Sequence, residues 1–252
     1  MTSQRRQKVA LFLAEAWRAL LQLYPRGIRL FWVAPLIPAL VVVPEFLQHA
    51  AEVKLGMFES KEAFKAHQMD PLRWTFAYAK IAGLWLAILA AARVTASEER
   101  GGRWWDVREI SWKPLLFGLI LFGGLGSLPA LWDGQLPREV DLGLQIVVGI
   151  ATLPGLLLIL AGLFGDPMPS PRDLFVRGWP WLLLIAVLAV VGFGPAAWVH
   201  QQNHLWAMGM APAPLWAMMV WDSLLVGLIA CLAGTGVALG YRGFARGGPA
   251  RR

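Results

Sequence analysis

The chain has 252 residues, of which 57% are hydrophobic and only 15% are Asp, Glu, Lys or Arg, where a soluble globular protein carries roughly a quarter charged residues. Its net charge of +7 sits on residues that flank apolar blocks and not in a basic domain, which points to anionic lipid head groups and away from nucleic acid. One cysteine, Cys231, excludes an intrachain disulfide and a thiolate metal cluster.

Residues 4–24 come first. Lys8, Glu15, Arg18 and Gln22 fall on one helical face, and most of the other positions are Leu, Phe, Ala or Trp. This predicts an amphipathic helix in the cytoplasmic interface, with Arg5, Arg6, Lys8, Arg18, Arg26 and Arg29 at lipid head groups. Packing on the ends of a helical bundle is the alternative. Pro25 and Gly27 are expected to break this helix, making residues 1–27 a unit of their own.

Six apolar blocks follow, at 28–50, 71–94, 113–132, 142–165, 179–199 and 214–241. A helix of about 20 residues crosses the hydrocarbon core, so the fold class is all-α: a polytopic membrane protein of six transmembrane helices. Residues 242–252 form a basic tail. The first block is not read as a signal peptide, because its n-region would be too long and no small-x-small site follows cleanly. Asp70 and Pro71 start the second span, and Ser170, Pro171 and Asp173 start a short helix before the fifth.

Lys and Arg set the direction. Seventeen lie before span one, between spans two and three, between four and five, and after six; five lie in the alternate loops. Both termini are therefore expected in the cytoplasm, with the protein in the cell membrane of a bacterium, its inner membrane. Spans three and five share a pattern at an offset of 66 residues: Pro114, Gly126, Pro129 and Trp132 match Pro180, Gly192, Pro195 and Trp198. The pattern suggests three helical hairpins, each with a charged prelude.

Polar groups inside the spans are the candidate site. Glu45 lies in the outer half of span one, Lys80 about 13 Å into span two and Asp222 about 12 Å into span six. The three share one level, with His49 one turn beyond Glu45 and Gln145 near the outer end of span four. An isolated charge there costs a few kcal/mol, which favours pairing. Lys80 with Asp222 is the expected pair, with Glu45 as the competing acid. The same groups can instead snorkel to the head groups.

His200 and His204 are spaced for a two-nitrogen metal site, but no Asp, Glu or Cys lies close by in sequence, so no metal is expected there. Gly118, Gly123 and Gly126, and the face of Gly227, Cys231 and Thr235, are read as packing contacts. No phosphate loop, nucleophile elbow or zincin motif is present, and no cofactor is expected. The leading reading is a membrane accessory or scaffold protein acting on a protein partner, a second copy of itself or lipid. The alternatives are a small transporter or lipid-handling protein using Glu45, Lys80 and Asp222, or a membrane-embedded enzyme acting on a lipid-soluble substrate.

Overall fold

A computed structural model describes residues 3–132 and 134–247, with the side chains of residues 3–6, 8 and 247 excepted. The head-group contacts expected of Arg5, Arg6 and Lys8 therefore lie outside the described residues. All regular structure among the described residues is helical: α1 (Ser3–Val33), α2 (Leu36–Lys54), α3 (Lys61–His67), α4 (Pro71–Arg100), α5 (Trp112–Gly118), α6 (Arg138–Thr152), α7 (Gly155–Leu163), α8 (Trp179–Trp206) and α9 (Pro212–Gly247). Among the described residues six helices are long and apolar enough to cross a membrane: Leu36–Lys54, Pro71–Arg100, Trp112–Trp132, Arg138–Leu163, Trp179–Trp206 and Pro212–Arg246. The chain is a six-span, all-helical membrane protein.

The first helix corrects one expectation. α1 runs through Pro25 and Gly27 and ends only at Val33. Pro25 removes one amide donor, to the Leu21 carbonyl, and a neighbouring helix holds the segment in place. A Cβ at Gly27 would lie 2.7 Å from Leu232 Cδ2. The break falls instead at Ala34–Pro35, where Pro35 and Pro38 remove two donors within one turn and the Ile37 amide reaches only the Ala34 carbonyl, at 2.9 Å.

The chain forms two compact units. One comprises residues 18–95 and 188–237, the other residues 1–17, 96–187 and 238–252, so α1, α4, α8 and α9 contribute to both. In the first unit glycines set the helix approaches. A Cβ at Gly83 would strike the Leu40 carbonyl, one at Gly234 the Ile88 carbonyl, and one at Gly227 would lie 2.5 Å from Val42 Cγ2. Cys231 and Thr235 are wholly buried on the same face as Gly227. Lipid is as apolar as leucine, so close van der Waals contact of this kind, not hydrophobic burial, holds such helices together.

In the second unit α5 packs on α7. A Cβ at Gly118 would sit 2.5 Å from the Ile159 nitrogen, and one at Gly162 2.5 Å from Leu115 Cβ. Gly123 has open space around it, so it is not a packing contact among the described residues. The third span does not stay α-helical: a π segment follows at Leu119–Gly124 and a 3-10 segment at Leu125–Trp132. Gly123, Gly124 and Gly126 weaken the helix, and Pro129 removes a further donor. α8 carries Pro195 without interruption. The matched proline spacing of spans three and five thus gives two different conformations. The charged preludes are single turns, Val107–Glu109 and Asp173–Arg177.

The second prelude starts as the sequence suggests. Ser170 Oγ donates to Asp173 Oδ2 at 2.6 Å and accepts from the Asp173 amide at 3.2 Å. Arg177 adds a 2.9 Å ion pair. The Ser170 hydroxyl, then the Arg177 guanidinium, hold the Asp173 carboxyl below the usual range. Asp106 accepts from Arg108 side chain and amide in the same manner and is lowered to about 2.

Candidate functional site

The first unit carries a polar cluster built mainly on α2. Glu45, Gln48, His49 and Glu52 occupy one helical stripe, spaced three or four residues apart, and all four are buried. Glu45 is the tenth of the helix's 19 residues, so the stripe runs from mid-helix toward Lys54. A Schellman cap fixes that end. Gly56 is left-handed with φ 69°, its amide bonds the Val53 carbonyl at 3.0 Å, and the Met57 amide bonds Glu52 at 3.0 Å.

α8 presents His200, Asn203 and His204 with the same spacing, and α9 presents Asp222. α4 contributes Arg73 and Lys80. Its start is set by Asp70, whose Oδ1 accepts from the Leu72 amide at 2.8 Å.

Asp222 is the hub and is wholly buried. Its Oδ2 lies 2.8 Å from His200 Nδ1, 3.0 Å from His49 Nε2 and 3.8 Å from His204 Nε2. Asn203 donates to Oδ1 at 2.6 Å. His49 bridges onward, with Nδ1 3.0 Å from Glu52 Oε2. Both of its ring nitrogens face carboxylates, and only a doubly protonated imidazole can donate to both. Glu52 also accepts from Arg73 Nε at 2.8 Å and Gln48 Nε2 at 2.7 Å.

Lys80 pairs with Glu45, not with Asp222 as expected: Nζ lies 3.0 Å from Glu45 Oε2. A shared depth fixes the level of a side chain but not the direction in which its helix points it. The ammonium is at ion-pair distance yet off the hydrogen-bonding direction, so neither Glu45 oxygen has a hydrogen-bond partner. Glu45 Oε1 faces His49 Nε2 at 3.4 Å.

No family model, curated protein or solved structure matches this chain.

The structure therefore brings Glu45, His49, Lys80, Asp222, His200 and His204 into one cluster. Gln145 belongs to the other unit, where its amide donates to Asp141 Oδ2 at 2.8 Å. Sequence reasoning missed Gln48, Glu52, Arg73 and Asn203. The signal for the first two was the continuation of the Glu45–His49 spacing by one more turn. The acids that complete the His200–His204 pair are distant in sequence: Glu45, His200, His204 and Asp222 each place one ligand atom within 4.8 Å of all the others.

Proposed function

We propose that this protein is a small integral membrane carrier for a cation, with the acid–histidine cluster as its binding centre. The observation that carries the reading is the environment of Asp222, a wholly buried carboxylate approached by imidazoles from two other helices. Ionisable groups inside spans are costly, and they mark ion or proton pathways when they gather in this way. Three carboxylates, Glu45, Glu52 and Asp222, face two fixed cations, Lys80 and Arg73, so the third negative charge is matched by an exchangeable cation, which in this arrangement is the second proton on His49.

Both termini are cytoplasmic in this account, in a bacterial inner membrane, on the strength of the seventeen-to-five Lys/Arg bias. The chain forms three hairpins, and α1 enters from the cytoplasmic face alongside α9, from Glu15 at Arg242 to Gly27 at Leu232. Val9, Leu13, Trp17, Leu21, Ile28 and Trp32 form an exposed apolar stripe along the helix, a face suited to lipid. Arg18 lies nearest the cytoplasmic end of this helix among Arg18, Arg26 and Arg29 and is the one best placed for anionic head groups. Bundle packing contributes as well, through Phe12 against Trp181 and Glu15 against Arg242 and Arg246.

A scaffold role is the second reading. It is favoured by the Lys80–Glu45 and Arg73–Glu52 pairs, which satisfy charges locally as a device for fixing helix order requires. Flux in proteoliposomes separates the two. Internal indicators for protons and for divalent metals should report a flux that Asp222→Asn reduces at least tenfold in folded protein. Absence of flux for every cation in wild-type vesicles contradicts the carrier reading and favours the scaffold.

A further inference from the structure

We propose that Glu45, His200, His204 and Asp222 form a binding site for one divalent transition-metal ion of the zinc class. This rests on reading the cluster as a cation centre and names its ligand. Two imidazole nitrogens and two carboxylate oxygens are a donor set that zinc accepts in tetrahedral geometry. Metal–ligand distances of about 2.0–2.1 Å place tetrahedral ligands about 3.3 Å apart. The four atoms already lie within 4.8 Å of one another, so closure needs side-chain shifts on the order of an ångström.

Two further observations aim the site at a ligand. Glu45 is wholly buried and neither of its oxygens accepts a hydrogen bond, and the buried Nδ1 of His204 also has no partner. Oε2 of Glu45 can keep Lys80 at 3.0 Å while Oε1 turns to the ion. The site is not sealed, since the side chains of the two histidines are 23% and 20% exposed.

The surroundings are those of an oriented ligand set. Asn203 holds Asp222 Oδ1, leaving Oδ2 toward the histidines. His49 touches Asp222 and is itself held by Glu52, which Arg73 and Gln48 anchor in turn. Outer-shell groups of this kind fix ligand direction and typically change affinity 10–100-fold.

The test uses the full chain in detergent micelles or nanodiscs, titrated with Zn²⁺ and, separately, with Co²⁺. One Zn²⁺ per chain is expected, and Co²⁺ should give the visible absorption bands of a four-coordinate nitrogen–oxygen site. His204→Ala and Asp222→Asn should each weaken Zn²⁺ binding at least about tenfold, while His67→Ala, in α3, should leave it unchanged. Absence of stoichiometric Zn²⁺ binding and of Co²⁺ bands in wild type overturns the proposal. So does an affinity that His67→Ala lowers as much as His204→Ala. Should Asp222→Asn fail to fold, the wild-type Co²⁺ spectrum and its loss in His204→Ala decide the matter. Zn²⁺ binding without flux refutes the carrier reading and leaves the site standing. Proton flux without Zn²⁺ or Co²⁺ binding does the reverse.

Discussion

His49 Nε2 meets Asp222 Oδ2 at 3.0 Å across 173 residues of sequence, while its Nδ1 meets Glu52 at 3.0 Å. One imidazole thus joins α9 to the end of α2. Replacing it with alanine leaves two wholly buried carboxylates short of a donor, and breaking a buried pair costs about 3–5 kcal/mol. His49→Ala should therefore lower the thermal midpoint in detergent by far more than His67→Ala, in an exposed helix. Equal midpoints would show that the bridge is not needed for folding.

The Lys80–Glu45 pair gives a double-mutant cycle. Lys80→Met alone strands the Glu45 carboxylate, and Glu45→Gln alone leaves the ammonium without its acid. The double variant removes both charges and should recover most of the lost stability, because a buried pair replaced by neutral groups is often neutral or better. Additive losses in thermal unfolding would mean the two residues act independently.

Glycine contacts differ sharply between positions. Gly83→Ala would drive a methyl into the Leu40 carbonyl and should destabilise the bundle. Gly123→Ala meets nothing within 4 Å and should be neutral or stabilising by up to about 1 kcal/mol, through lower backbone entropy in the unfolded chain. Unfolding of both variants under one set of conditions checks the contrast. A Gly83→Ala protein as stable as wild type would refute the close approach.

The turn before α8 carries a pH signature. Asp173 is held below its ordinary range by Ser170 and Arg177, so the ionised form is the one that stabilises. That contribution is complete above the unfolded value, about 3.9, and is lost as pH falls through the lower folded value. Ser170→Ala should raise the Asp173 pKa toward 3.9, and part of its stability deficit should vanish on acidification below about pH 4. Carboxyl titration by NMR measures the first effect and acid unfolding the second. A deficit that stays constant with pH would leave only the loss of the helix cap.

Much of the fold was legible because the bilayer imposes it. Six blocks of adequate length and hydropathy became six candidate spans, and Asp70 and Ser170 cap the helices they precede. Azimuth was harder to read. Depth placed Glu45, Lys80 and Asp222 at one level but not the partner of Lys80, since a rotation of 100° per residue decides which way a side chain points. Ending the first span near Ala50 assigned Glu52 to a loop, whereas α2 continues to Lys54 and turns Glu52 inward. Pro25 reads as a breaker in sequence, but α1 continues through it because a tightly packed helix tolerates one missing donor. The acids near the His200–His204 pair are invisible at the level of local spacing, because a helical bundle brings side chains together from facing helices whatever their separation in sequence.

The most direct measurement is ¹⁵N NMR of the full chain in lipid bilayers with its four histidines labelled. If Asp222 is the centre of one polar site, Asp222→Asn should move the ring-nitrogen signals of His49, His200 and His204 together and leave His67 in place. A change confined to one of the three, or an equal change at His67, would contradict a single acid–histidine centre.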